Sequence, residues 1–169
     1  MWCQMNIISP KAAIYGNVTM GDNVRIDDFC ILTGDITIGH NVHIGCYSFL
    51  AGSECIVIGD YVGISPRMTM FTASDDYSGL SLSNPTIPDE YKPGIDRGPI
   101  TIGNHVLIGV NAAILPGVTV GDGCSVGAFS LINKDLEPWG VYFGIPAKRM
   151  KERSKKLLEL QQAYEESCC

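Results

Sequence analysis

An aliphatic side chain returns at nearly every sixth residue of this 169-residue chain, and so short a beat leaves few ways to build a core. It runs through Ile14, Met20, Ile26, Leu32, Ile38, Ile44 and Leu50, slips by two residues, and resumes at Ile58, Ile64 and Met70. After a gap it continues through Ile102, Ile108, Ile114, Val120, Val126 and Ile132. A small residue usually follows the anchor, as at Gly21, Gly39, Gly59, Gly103 and Gly109, and a branched one often precedes it by two, as at Val24, Val42, Val62 and Val106. Six residues are too few for a helix pair but suit one short strand and a turn, whose apolar face is buried only by stacking on its neighbours. Side chains alternate along a strand, so the anchor and the residue two before it share a face. The period misses the helical repeat of about 3.6, and the glycine and β-branched content opposes helix formation. The expected architecture is therefore all-β: three strand–bend units close a triangular coil, and successive coils pair through parallel ladders. The glycine after each anchor is expected to mark the bend, turning sharply or taking a positive φ.

The rest of the chain divides around this repeat. Residues 6–146 read as one β-helical domain, interrupted by an insertion at 72–99, and residues 147–166 read as a helix with Met150, Leu157, Leu158 and Leu160 among charges. Formal net charge is −6, yet seven of the twelve basic residues lie late: Lys134, Lys148, Arg149, Lys151, Arg153, Lys155 and Lys156. A basic cluster on an acidic chain suggests a local anionic partner rather than nucleic acid. No apolar run reaches the ~18 residues of a membrane span, and the N-terminus carries no basic segment followed by an apolar stretch, so a cytoplasmic location is expected. Seven cysteines, with no Cys-x-x-Cys pair, suggest reduced thiols rather than a disulfide framework. Of these, Cys30, Cys46, Cys55 and Cys124 fall within the coils, where a small apolar side chain packs well; Cys3, Cys168 and Cys169 lie near the termini. No metal site is expected.

The insertion passes about thirty residues without the beat and contains Pro85, Pro88, Pro93 and Pro99. Structureless loops beyond ~12–15 residues are uncommon in compact domains unless functional or disordered. This one also carries Asp75, Asp76, Tyr77, Asn84, Tyr91, Asp96 and Arg97, and its aromatics favour a loop that covers a substrate over a disordered spacer.

The stretches Ile102-Gly103-Asn104-His105-Val106-Leu107-Ile108-Gly109 and Ile114-Leu115-Pro116-Gly117-Val118-Thr119-Val120-Gly121, with the ending Gly144-Ile145-Pro146-Ala147-Lys148, resemble the hexapeptide-repeat acyltransferases. The likeness covers roughly residues 6–152 and is nearest to the branch of galactoside, maltose and xenobiotic acetyltransferases and the sugar acetyltransferases of surface-polysaccharide pathways. It implies a left-handed parallel β-helix, an exception to the right-handed crossover rule, assembled as a homotrimer with active sites between subunits. It also implies acetyl-CoA as co-substrate. By the resemblance, the pantetheine arm would contact Gly109, Val110, Gly127 and Ala128, and the CoA phosphates would meet Asn133, Lys134, Lys148 and Lys151. Lysine serves as a point-charge partner for phosphate.

The chain departs from that branch in the loop. Galactoside-type enzymes place a histidine there as general base toward a sugar hydroxyl. Aligning Ile64-Ser65-Pro66-Arg67-Met68-Thr69 on their pattern puts Asp75 at that position, and no histidine lies in the loop. His40, His43 and His105 sit beside bends in the repeat, and their spacing misses the His-x4-His pair of a γ-type carbonic anhydrase zinc site. A hydroxyl needs a base of near-neutral pKa, which an ordinary aspartate at about 3.9 is not. An amine is already nucleophilic when neutral, and an aspartate can orient its ammonium form and take its proton. The expectation is an N-acetyltransferase of a nucleotide-linked amino sugar for surface-polysaccharide biosynthesis. Asp75 is then the catalytic carboxylate, and Asp76, Tyr77, Tyr91 and Arg97 bind the acceptor. The segment Ala73-Ser74-Asp75-Asp76-Tyr77-Ser78-Gly79 also resembles loops of acyltransferases from O-antigen clusters that act on dTDP-linked 4-amino sugars. Two alternatives stay open: O-acetylation of a saccharide or small hydroxyl compound, and a non-enzymatic β-helix in an assembly. The carboxylates also have a purely architectural reading, as caps of the loop's own turns.

Overall fold

A computed structural model describes residues 5–167 as a parallel β-helix closed by a hairpin and one helix. Cys3, Cys168 and Cys169 lie outside the described residues. Leu32 pairs with Ile14 on one side and Leu50 on the other, so one coil takes three hexads and each hexad forms one face. The first face stacks Ile7–Ile8, Arg25–Ile26, His43–Ile44, Gly63–Ile64, Leu107–Ile108, Ser125–Val126 and Gly140–Phe143. The long strands Ala13–Met20 and Ile31–Ile38 bend across a corner and supply both other faces. Their first halves continue through Phe49–Ala51, Thr69–Phe71, Ala113–Ile114 and Leu131–Ile132. Their second halves continue through Ile56–Ile58, Ile100–Ile102 and Thr119–Val120.

Every anchor from Ile26 to Ile132 points inward and is at most 2% exposed, while Ile14 and Met20, in the first coil, are only half-buried. Each fully buried aliphatic side chain contributes about 1.5–3 kcal/mol, so the beat is the fold's main source of stability. Both irregularities of the beat fall at the corner between the second and third faces. The two-residue slip is absorbed between Ala51 and Ile56, and the long insertion between Phe71 and Ile100. Ile58 still pairs with Ile102 as Ile38 pairs with Ile58, so the core register crosses the insertion unbroken.

The bends are made differently from the sequence expectation. Gly21, Gly39, Gly59 and Gly103 do not take positive φ; that conformation falls two residues later, at Asn23, Asn41, Tyr61 and His105. The same position on the next corner is Phe29, Tyr47, Arg67, Asn111 and Phe129. Left-handed backbone costs a non-glycine residue roughly 1–2 kcal/mol, and stacking along the corner offsets part of this. Phe29 lies on Tyr47 with ring centroids 5.0 Å apart, and Tyr61 on His105 at 5.2 Å. The glycine after the anchor is needed for a close approach instead. A Cβ on Gly39 would stand 2.8 Å from the Gly59 carbonyl carbon, and one on Gly103 would stand 2.7 Å from the Asp122 nitrogen.

The C-terminal segment corrects the helix expected from residue 147. Lys148–Glu152 is a strand, antiparallel to Gly140–Phe143, and the helix α1 spans Leu157–Ser167. The last strand of the first face would otherwise expose a row of unpaired backbone groups, and covering that edge outweighs local helical preference. Helix α1 folds back onto the corner between the third and first faces, where the Tyr61 hydroxyl donates to Glu165 Oε1 at 2.7 Å. Cys30 and Cys124 are buried in the coils as expected, and burial pushes both thiols up. Cys46 is only half-buried, and Cys55 is exposed because it falls in the two-residue slip.

Candidate active site

The three corners run the length of the molecule and offer different chemistry. Between the third and first faces, the position two after each anchor is Asp22, His40, Asp60, Asn104 and Asp122. From His40 onward each side chain accepts the backbone N–H of the coil before it: Asp22 N–H to His40 Nδ1 at 2.9 Å, His40 N–H to Asp60 Oδ1 at 2.7 Å, Asp60 N–H to Asn104 Oδ1 at 2.8 Å, and Asn104 N–H to Asp122 Oδ1 at 2.7 Å. This corner is saturated by its own side chains, which explains His40. His105 is a stacking residue here, and His43 pairs with Asp27 Oδ2 at 2.8 Å on the first face. A cavity of about 480 Å³ lies between this corner and α1, lined by Tyr61, His105, Arg153, Leu157, Leu160 and Tyr164 among others, well apart from the loop.

Between the first and second faces, the equivalent residues Val110 and Ala128 have no stacked acceptor. Their N–H groups have no hydrogen-bond partner among the described residues, although the neighbouring Gly109 and Gly127 N–H groups bond to Val126 O and Tyr142 O at 2.8 Å. Gly109 and Gly127 are stacked so tightly that a Cβ on Gly109 would stand 2.5 Å from the Ala128 nitrogen. The structure thus gathers Gly109, Val110, Gly127 and Ala128 into one column with open donors. Lys148 pairs with Phe143 at the end of that column. Asn133 and Lys134 follow the last strand of the second face, at the adjacent corner, while Lys151 pairs with Val141 and lies farther along the strand.

The late basic residues separate by what already holds them. Arg153 Nη1 donates to the carbonyls of His105, Gly123 and Cys124 at 2.6–3.1 Å, and burial lowers its pKa. Arg149 pairs with Glu152 at 2.6 Å, and Lys155 lies 5.2 Å from the Trp139 ring centroid. Lys134, Lys148 and Lys151 are exposed and make no ion pair among the described residues, which leaves them free to meet an anion.

The inserted loop leaves the corner between the second and third faces through a closed neck. Gly98 N–H donates to Thr72 O at 3.0 Å, and Ala73–Ser74 pairs antiparallel with Asp96–Arg97. Gly98 packs directly on the next coil, where an added Cβ would stand 2.6 Å from the Gly117 Cα. Within the loop the two carboxylates part company. Asp76 accepts the N–H groups of Ser78, Leu80 and Ser81 at 2.7–3.0 Å, and bonds from Ser78 first, then from Leu80 and Ser81, hold it below the usual carboxylate range. It caps the loop's own turn. Asp75 is exposed and, among the described residues, accepts only Asn84 N–H, on Oδ2 at 3.0 Å, which leaves Oδ1 without a partner among them.

The remaining candidates in the loop differ in availability. Tyr77 is 95% and Tyr91 56% exposed, so both are free to stack on a ligand. Arg97 is held by Asp89 at 3.1 Å and shares that carboxylate with Lys92 at 3.0 Å; Lys92 and then Arg97 lower its pKa. Lys92 was not singled out by sequence reasoning, since nothing in its neighbourhood marks it as buried. Asn84 carried one signal, the Asn-Pro pair that favours turns, and it takes φ +75°. No cluster of metal-ligating side chains occurs among the described residues, and no helix among them is long and apolar enough to cross a membrane.

Comparison with known proteins points the same way. The family model described as bacterial transferase hexapeptide (six repeats) matches residues 17–52 and 99–134, the coils on either side of the loop. A dTDP-4-amino-4,6-dideoxy-D-glucose acyltransferase of Escherichia coli is 44% identical over 165 residues, covering 95% of this chain and 85% of its own length. Among solved structures, AntD, an N-acyltransferase from Bacillus cereus in complex with dTDP and 3-hydroxybutyryl-CoA, superposes with a TM-score of 0.93 at 41% identity, covering 96% of this chain and 88% of that one. A point mutant of AntD in complex with dTDP-4-amino-4,6-dideoxyglucose and Coenzyme A gives 0.92 at 40% identity, covering 98% of this chain and 92% of that one.

Proposed function

The chain belongs to the hexapeptide-repeat acyltransferase family, and from that premise we propose that it transfers the acetyl group of acetyl-CoA to the amine of a dTDP-linked 4-amino-4,6-dideoxy sugar. The observation that carries this reading is the exposed Asp75 in a loop without histidine, on a chain 44% identical to an acyltransferase of such a sugar. The column of Val110 and Ala128 N–H groups suits the amide carbonyls of a pantetheine arm, and Lys148 with Asn133 and Lys134 suits the phosphates. Lys151, farther along its strand, is assigned a lesser share.

In the reaction the sugar ammonium first pairs with Asp75 Oδ1, which orients it and accepts its proton. The neutral nitrogen then attacks the thioester carbonyl, forming the C–N bond as the C–S bond breaks. The CoA sulfur leaves as a thiolate and is protonated as the amide sheds its last excess proton. Most of the catalytic gain in such a scheme comes from holding amine and thioester together, since positioning alone supplies effective molarities of about 10⁵ M or more. Exposed Tyr77 and Tyr91 are placed to stack on the nucleotide or sugar, either in the same subunit or across a trimer interface. The product would serve surface-polysaccharide assembly in the cytoplasm.

Asp75→Asn separates charge from architecture, because the amide oxygen still accepts Asn84 N–H. With dTDP-4-amino-4,6-dideoxyglucose, thiol release from acetyl-CoA should fall by about 10²-fold or more, the usual range for a lost acid–base group. Full activity of the variant would remove Asp75 from the mechanism. Turnover of plain glycosides with no turnover of amino sugars would overturn the N-acyl assignment itself.

A further inference from the structure

We propose that Lys92 is the positioning residue of the acceptor loop: it fixes the Asn84 peptide and, through it, the carboxylate of Asp75. This rests on the reading of the loop as the acceptor site. Between residues 73 and 97, Lys92 is the one side chain that is buried, at 7% exposure. A lysine is rarely buried unless paired, because desolvating its ammonium costs several kcal/mol, so its partners define what the burial accomplishes. Its Nζ donates to Asn84 O at 3.3 Å and meets Asp89 Oδ1 at 3.0 Å.

Those contacts close a circuit. Asn84 uses both of its backbone polar groups here: its N–H donates to Asp75 Oδ2 at 3.0 Å, and its carbonyl accepts from Lys92. Asp89 binds Arg97 at 3.1 Å, and Arg97 lies opposite Ala73 in the neck, two residues before Asp75. The path therefore runs from Asp75 through Asn84, Lys92, Asp89 and Arg97 back to the strand Ala73–Ser74 that leads into Asp75. Asn84 sits in a left-handed conformation and is itself tied by Thr86, whose N–H and hydroxyl both bond to Asn84 Oδ1 at 2.9 and 2.6 Å. A local turn alone would set the shape of residues 84–86; Lys92 ties the carbonyl side of that turn to Asp89 and, through Arg97, to the neck, while Asn84 N–H holds Asp75 from the other side. With the ammonium removed, the Asn84 carbonyl and Asp89 lose their shared donor, and Asp75 loses its fixed orientation toward an incoming amine.

The test compares Lys92→Met, Lys92→Arg and Asp89→Asn with the wild type by amide hydrogen exchange and by steady-state kinetics. In Lys92→Met the amides of Asn84 and Leu82 should exchange at least tenfold faster, with protection in the coils unchanged. Acceptor KM should rise about tenfold while KM for acetyl-CoA stays the same, since the loss is confined to one half of the site. Lys92→Arg, which keeps the charge and donors, should recover part of both effects. Asp89→Asn removes an exposed partner and should loosen the same amides without threatening the fold, so it serves if the methionine variant proves unstable. Unchanged loop exchange in both Lys92→Met and Asp89→Asn, or equal damage to both KM values, overturns the role of Lys92. The exchange arm needs no substrate, so it stands even if the acceptor assignment fails.

Discussion

The coils and the loop fix their backbones by opposite means. In the coils, anchors at most 2% exposed fill a continuous interior, and backbone N–H groups pair with the carbonyls of the next coil. In the loop the one buried side chain between residues 73 and 97 is a lysine, and three carboxylates, Asp75, Asp76 and Asp89, are organising acceptors. Burial is non-directional and cumulative, so the coils gain stability with every repeat. Hydrogen bonds and ion pairs in an exposed loop are directional and individually worth little. They specify a shape without making it rigid. A loop held in this way adds shape rather than stability to the scaffold behind it, which keeps its own register.

The sharpest break of this comparison is an anchor substitution. Ile108→Ala removes a fully buried side chain from the middle of the stack and should cost about 2–5 kcal/mol in a denaturant titration. A loss below about 1 kcal/mol would mean that the stack relaxes around the cavity and that burial does not dominate. Gly98→Ala tests the junction between the two regimes. Its added methyl would meet the Gly117 Cα at 2.6 Å, so neck or coil must shift, at about 1–3 kcal/mol. That cost should appear in the same denaturant transition as the anchor loss if the neck belongs to the coils. Should stability hold while only loop exchange quickens, the boundary lies below Gly98 and the neck belongs to the loop.

What the sequence disclosed follows the same division. The six-residue period located every buried anchor from Ile26 to Ile132, because in a solenoid burial repeats with the chain and one-dimensional pattern becomes three-dimensional placement. It did not locate the bends correctly: glycine is read for φ, but here Gly39 and Gly103 answer to the closeness of the next coil, and Tyr61 and His105 carry the left-handed turn. It missed the strand Lys148–Glu152 because the exposed edge that recruits it belongs to Gly140–Phe143, not to the segment itself. The basic cluster was visible, yet only the folded chain shows that Arg153 is spent on three carbonyls while Lys148 is not. Within the loop, Asp75 and Asp76 are adjacent and alike in sequence. Three inward-turned N–H groups make one a cap, and their absence leaves the other open.

The smallest effect expected is on the loop's response to acid, and it isolates the loop from the coils. Asp76 and Asp89 both have folded pKa values below the ordinary carboxylate range, Asp76 through bonds from Ser78, Leu80 and Ser81, Asp89 through Lys92 and Arg97. A group whose pKa is depressed by folding stabilises fully above its unfolded value, near ~4, and loses that contribution as pH falls through the folded one. Loop order should therefore be intact at neutral pH and decline only on acidification below about pH 4. The coils' anchors carry no charge, so their burial should not follow the same curve. Limited proteolysis with an acid-active protease, scanned downward in pH, reads this directly: cleavage should begin within residues 75–95 before any loss of sheet signal in circular dichroism. In Asp76→Asn a protease active at neutral pH should cut the loop more readily there, and the further loosening by acid should be reduced to the share that Asp89 supplies. Simultaneous loss of loop and sheet at every pH would show that the two regions unfold as one, and that the loop's carboxylates hold more than the loop.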